Sequence, residues 1–177
     1  MTNTPLLGAL IGKDEHGIVR KGMAARLRAR GQPRPTQVAV KTVRNPTDPE
    51  QNRQIIKELQ VLTQAGRHLN ITNLLGAVFK LRADNEADHA NHQQQITYHE
   101  TSAAIQDADV DPDVLSTREL ISFAFQISRG MAYLSSRLII HRDLAARTIL
   151  VCHDGVVKIA DFGMARRLSE YVLLDER

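Results

Sequence analysis

The chain has 177 residues, enough for one domain or a little more and for a real core. Charged residues make up 24% and hydrophobic ones 42%, a globular balance rather than a disordered one. A net charge of +3, the absence of Trp and an aromatic content of 4% argue against a nucleic-acid platform; the single Cys152 excludes an internal disulfide framework and fits a reducing compartment.

No apolar run approaches the roughly 20 residues of a membrane-spanning helix. The apolar stretch Leu6 to Ile11 has no basic segment before it, so it makes a poor signal peptide. Gly12 and Gly17 then frame a turn between strands. From His16 to Thr47 there are basic residues and no acidic one. Arg26, Arg28, Arg30 and Arg34 sit among Gly31, Pro33 and Pro35, which reads as a solvated loop in preference to a phosphate- or lipid-binding patch.

Gln37 to Val43 alternates as a strand, with Val38, Val40 and Thr42 on one face and Ala39, Lys41 and Val43 on the other. A helix follows. Asp48 can cap it, Pro49 suits its first position and Gln51 completes a capping-box spacing. Its apolar stripe is Ile55, Leu59 and Leu62, with Ile56 beside it, and Gly66 ends it. Glu58 falls among the stripe residues, so it points toward the packed side. A buried carboxylate needs a partner, and a lysine on the neighbouring strand would supply one. Leu74 to Phe79 reads as a short strand.

From Ala83 to Thr117 there is no Lys or Arg, and eight acids occur. Few aliphatic residues accompany them, so burial cannot offset the entropy of ordering, and residues 81–116 are expected to be a disordered insert or linker. His89, His92 and His99 read as incidental to a polar linker rather than as a metal site. Ser116 and Glu119 then form a second capping box. The next helix carries Leu120, Ala124, Ile127, Met131 and Leu134 on one face. Ile149 to Val151 and Val156 to Ala160 read as short strands flanking a turn at Asp154-Gly155.

The residues with chemical meaning fall into an ordered set. Gly12, Gly17 and Val19 match two of three glycines and the valine of a Gly-rich phosphate loop. Lys41 lies on a strand in Val38-Ala39-Val40-Lys41, and Glu58 on the helix after it. His141-Arg142-Asp143 opens a loop, and Asp161-Phe162-Gly163 follows 18 residues after Asp143. Singly, each reads as a turn or a solvated charge. In this order they resemble the protein kinases, whose signature they are. Asp143-Leu144-Ala145-Ala146-Arg147 looks like the tyrosine-kinase form. Asn70 to Ala77 and Arg129 to Leu134 are similar to receptor tyrosine kinases of the fibroblast-growth-factor, vascular-endothelial-growth-factor and platelet-derived-growth-factor receptor group. The resemblance covers 6–79 and 117–167.

The resemblance implies an α+β protein-kinase-like fold: a small antiparallel-sheet lobe over 1–80, the acidic segment 81–116, and a truncated helical lobe over 117–177. It implies ATP and Mg²⁺ as cofactors and a protein tyrosine as substrate. Gly12 and Gly17 would cover the phosphates, and Ile11, Val19 and Ala39 would wall the adenine. Lys41, held by Glu58, would contact the α- and β-phosphates. Asp161 would bind Mg²⁺, with Thr148 at the second metal position. Asp143 would accept the tyrosine proton, and Arg147 would help place the tyrosine. A kinase-domain dimer partner, an intracellular location as part of a plasma-membrane receptor, and no nucleic-acid partner complete the implication.

Four departures from the pattern are present. Thr148 stands where kinases carry asparagine, which predicts weakened metal binding. Asp14 replaces the middle glycine of the loop and would repel a triphosphate, and His16 replaces an aromatic at its tip. Leu81 to Ser116 shows no continuous apolar strand after Phe79, so no hinge residue is assigned. Only 14 residues follow Gly163, too few for an Ala-Pro-Glu motif and a large helical lobe, so the stripe from Leu120 to Leu134 should lack burial surface and the chain should transfer little phosphate. Two readings follow: an incomplete tyrosine kinase catalytic domain, or a catalytically dead kinase remnant that binds nucleotide or a partner. Thr148, Asp14 and the missing helical lobe favour the second for this polypeptide, whereas intact Lys41, Glu58, Asp143, Arg147 and Asp161 favour the first for the gene, and the first is the expected function.

Overall fold

A computed structural model describes residues 5–13, 17–24, 36–79, 95–99, 115–152 and 155–168. The chain forms two units, Met1–Leu59 with Leu74–Glu100, and Gln60–Asn73 with Thr101–Arg177. The divisions fall after Leu59, which lies inside a helix, after Asn73 and after Glu100.

The first unit is a five-stranded antiparallel sheet. Strands β1 (Leu6–Lys13), β2 (Gly17–Ala24), β3 (Thr36–Val43), β4 (Leu74–Phe79) and β5 (Gln95–His99) are arranged in the order β1-β2-β3-β5-β4. β3 is buried on both faces: Val38, Val40, Ala39, Lys41 and Val43 are all inside. Val38 and Val40 pack with Ala24, Leu75 and Val78.

β5 corrects the sequence reading. It lies within 81–116, where no strand was expected after Phe79, and joins β3 to β4. Lys41 faces Thr97 across one ladder, and Val78 faces Ile96 across the other. A reading based on apolar continuity passes over Gln95-Ile96-Thr97-Tyr98-His99. Its signal is instead the β-branched and aromatic alternation of Ile96, Thr97 and Tyr98, which fits a pleated surface. The rest of the acidic segment, His89 and His92 included, lies outside the described residues.

Helix α1 (Pro49–Ala65) is capped by Asp48 as expected, but the capping box is not closed, because the Asp48 amide donates to the Asn45 carbonyl and not to the Gln51 side chain. The Asp48 carboxylate accepts from the amides of Glu50 (2.9 Å) and Gln51 (3.5 Å), two donors that the helix itself leaves unsatisfied. The Gln51 side chain reaches back to the Asn45 amide at 2.9 Å. Ile55, Leu59 and Leu62 are buried, whereas Ile56 is exposed. Gly66, with φ of 72°, closes the helix in the left-handed region.

The second unit is built on α2 (Thr117–Ser136). The Ser116–Glu119 capping box is present in both directions. Short strands pair around α2: β6 (Ile139–Ile140) with β9 (Arg166–Arg167), and β7 (Ile149–Val151) with β8 (Val157–Ile159). The β6–β9 pair was not foreseen, because two-residue strands have no readable period. Segment 70–72 lies along β8: the Thr72 amide donates to the Ile159 carbonyl and the Ile159 amide to the Asn70 carbonyl, both at 2.9 Å. Gly130 lets α2 approach this layer. A Cβ there would lie 2.8 Å from Ile159 Cδ1 and 2.9 Å from the Asn70 carbonyl oxygen. Along the expected stripe Leu134 is fully buried, but Leu120 is half exposed, as are Ile121 and Phe125 beside it. Among the described residues, no helix is long and apolar enough to cross a membrane.

Candidate active site

In the first unit, β3 and α1 bring Lys41 and Glu58 together. Lys41 Nζ donates to Glu58 Oε2 at 2.9 Å, and both side chains are more than nine-tenths buried. Their spacing was legible, since the strand alternation and the helix stripe both point these residues inward. The pair holds an ammonium at a fixed place in a low-dielectric setting, where its charge acts more strongly than at a surface.

Ile11 and Gly12 lie in β1, Gly17 and Val19 in β2, and Ala39 in β3. Gly12 pairs with Val19, Lys13 with Ile18, and Val19 with Lys41. The two glycines differ. A Cβ on Gly17 would lie 2.9 Å from the Thr42 carbonyl oxygen and 3.2 Å from Lys41 Cε, so packing within the sheet requires a glycine. Among the described residues, a Cβ on Gly12 would meet nothing within 4 Å. Packing among the described residues therefore gives Gly12 no reason to lack a side chain, whereas close approach of a ligand would. Asp14 and His16 lie outside the described residues.

In the second unit, the loop after β6 carries Asp143, Arg147 and Thr148. The Arg147 guanidinium donates to the Asp143 carboxylate. Arg147 itself is mostly exposed, while Asp143 is partly shielded. Thr148 closes a single 3₁₀ turn, Ala146–Thr148, and is buried. Its hydroxyl lies 3.0 Å from the Asp143 carbonyl oxygen and 2.9 Å from that of Ala145, and it accepts from the Ala145 amide at 3.1 Å.

His141 ties this loop to the strand that leads to Asp161. Its Nε2 donates to the Ala160 carbonyl at 3.0 Å, and its Nδ1 accepts from the Asp143 amide at 3.4 Å. Together these bonds require the neutral Nε2–H tautomer. Phe162 is fully buried with its ring edge-on to His141, centroids 5.0 Å apart. Arg142 Nε donates to the Met164 carbonyl at 2.6 Å. Arg142 and Asp161 both adopt the left-handed region, with φ of 67° and 61°. Such conformations cost on the order of 1–3 kcal/mol and tend to cluster at functional sites. Asp161 is exposed, and its Oδ1 accepts from the Gly163 amide at 3.3 Å. In the sequence His141 and Phe162 are motif letters without a task; in the structure they position Asp143 and Asp161.

The family model for protein tyrosine and serine/threonine kinase matches residues 6–176. The chain belongs to the protein kinase family. Its kinase domain is 38% identical over 168 residues to fibroblast growth factor receptor 1 of Pleurodeles waltl, covering 91% of this chain and 21% of that protein. It is 38% identical over 178 residues to fibroblast growth factor receptor homolog 2 of Drosophila melanogaster, covering 93% of this chain and 17% of that protein. The angiopoietin-1 receptor of Danio rerio is 38% identical over 141 residues, covering 76% of this chain and 13% of that protein. The chain thus spans about a fifth or less of the length of these relatives.

Mg²⁺ takes hard oxygen ligands in near-octahedral geometry and keeps several waters. The exposed Asp161 carboxylate fits as such a donor. Thr148 fits less well, because its single oxygen is engaged with the loop backbone. Among the described residues, no group of three or more His, Cys, Asp or Glu side chains is arranged to hold a metal.

Proposed function

We propose that this chain is the nucleotide-binding and catalytic-loop part of a receptor-type protein tyrosine kinase, which transfers the ATP γ-phosphate to a tyrosine hydroxyl. The buried Lys41–Glu58 pair carries this reading. An ion pair taken out of water contributes little net stability, so its presence is better explained by a phosphate that the ammonium receives. Lys41 binds the α- and β-phosphates, and Glu58 fixes where its ammonium stands. Gly12 leaves room for the phosphates beneath β1, with Gly17 at the start of β2, and Ile11, Val19 and Ala39 enclose the base. Asp161 holds Mg²⁺, which supplies neutralisation of the charge that develops on the phosphoryl oxygens.

Asp143 accepts the proton of the attacking tyrosine hydroxyl. Arg147 holds that carboxylate in place through its side-chain hydrogen bond, leaving its exposed flank to the substrate. The protein substrate, a kinase-domain dimer partner and an intracellular position beneath a plasma membrane belong to the same proposal. They rest on the relatives named above, whose names describe receptors.

The test is to incubate the chain with γ-labelled Mg-ATP and a glutamate–tyrosine copolymer, while nucleotide binding is followed by calorimetry. Phosphotyrosine that disappears in Asp143→Asn and Lys41→Met supports the kinase reading. Nucleotide binding with little transfer fits both an incomplete catalytic domain and a catalytically dead remnant, and loss of that binding in Lys41→Met still supports the nucleotide site. Absence of nucleotide binding by the folded chain refutes the kinase reading and leaves a remnant that binds a partner.

A further inference from the structure

Thr148 stands at the kinase position whose asparagine holds the second of two Mg²⁺ ions. An asparagine side chain separates its donor and acceptor on two atoms, so the nitrogen can bond the loop while the oxygen faces a metal. Threonine has one oxygen for both tasks, one bond closer to the backbone. Here that oxygen is 2.9–3.0 Å from the Asp143 and Ala145 carbonyls and takes the Ala145 amide proton at 3.1 Å. Its one proton is shared between two carbonyls, one acceptor pair is used, and only 2% of the residue meets solvent. The remaining pair has no path to a hydrated cation.

The backbone of Thr148 continues the same tie. Its carbonyl accepts from the Ala160 amide at 2.8 Å, and the Ala160 carbonyl is the one bonded by His141. Thr148 therefore touches the Asp143 segment through its side chain and the residue before Asp161 through its main chain. We infer that Thr148 is a positioning residue that clasps the two aspartate segments together, and that this site takes one divalent cation, on Asp161, instead of two. The inference rests on the kinase reading for its metal half and on geometry alone for its clasp half.

Each half has its own measurement on the full chain. For the clasp, amide hydrogen exchange is followed without metal or nucleotide. Thr148→Val keeps the shape and removes the hydroxyl, and it should speed exchange at Ala145 at least tenfold, whereas Thr148→Ser should stay within threefold of the parent. Unchanged exchange at Ala145 in Thr148→Val overturns the clasp. For the metal, Mn²⁺ bound per chain is counted by electron paramagnetic resonance at saturating β,γ-imido ATP. The parent should hold one ion, and Thr148→Asn two. Two ions on the parent, falling to one in Thr148→Val, overturn the single-cation assignment. If no variant binds the nucleotide, the kinase reading fails and the metal half falls with it, while the exchange result still decides the clasp.

Discussion

Removing one member of the Lys41–Glu58 pair should cost far more than removing both. At 2.9 Å and an effective dielectric near 20, the attraction is about 6 kcal/mol before desolvation is counted. Desolvation of two groups more than nine-tenths buried takes back most of that, so the pair as a whole contributes little. Losing one partner forfeits the attraction and keeps the other charge's desolvation, which typically costs about 3–5 kcal/mol. Lys41→Met and Glu58→Leu should each therefore destabilise the first unit by about that amount. The double variant buries neither charge and should lie within about 1–2 kcal/mol of the parent. Native-state hydrogen exchange at the Val38 and Val40 amides reports this unit directly. The single variants should exchange about 10²–10³ times faster, at roughly 1.4 kcal/mol per tenfold. A double variant whose loss equals the sum of the two singles would refute the argument, because the two charges would then not be compensating each other.

Gly130→Ala gains about 1 kcal/mol of helix propensity. It also sets a Cβ 2.9 Å from a backbone carbonyl that cannot rotate away. The net effect should be a lower thermal midpoint, and a raised midpoint would show that the α2 contact yields easily. Gly17→Ala should likewise lower the melting temperature through its clash with the Thr42 carbonyl. Gly12→Ala should leave melting unchanged and weaken Mg-ATP binding in calorimetry. Equal melting losses for the two would contradict the packing distinction. His68 is held below the ordinary histidine range, chiefly by burial and then by Arg129 and Lys158. A depressed pKa means that the unfolded chain binds more protons. This contribution to stability is thus full above about pH 6.5 and is lost as pH falls through the folded value. Denaturant midpoints should fall with pH in that window for the parent and less so for His68→Gln. Glu119 is also lowered, by the Ser116 hydroxyl and then the Ser116 amide. Its stabilisation is present above the ordinary carboxylate range and declines as pH drops through the folded value, which a Ser116→Ala comparison would reveal.

The amino-acid sequence by itself determined the local elements and the order of the chemical residues. Asp48 and Pro49, the Ser116–Glu119 box, Gly66 and the alternation of Val38 to Val43 act within a few residues of chain, where backbone hydrogen bonding and side-chain periodicity suffice. The inward aim of Glu58 was legible for the same reason, because 3.6-residue geometry places it beside Ile55 and Leu62. Strand β5 was not, because its place between β3 and β4 rests on backbone pairing with partners far away in the chain, which a polar composition does not announce. Nor could spacing tell that the Thr148 hydroxyl turns into the loop, or that Gly17 is fixed by packing while Gly12 is not. Those outcomes depend on which atoms arrive within about 3 Å from distant segments. The tertiary structure alone decides that, through the competition of each polar atom for the partners that folding leaves within reach.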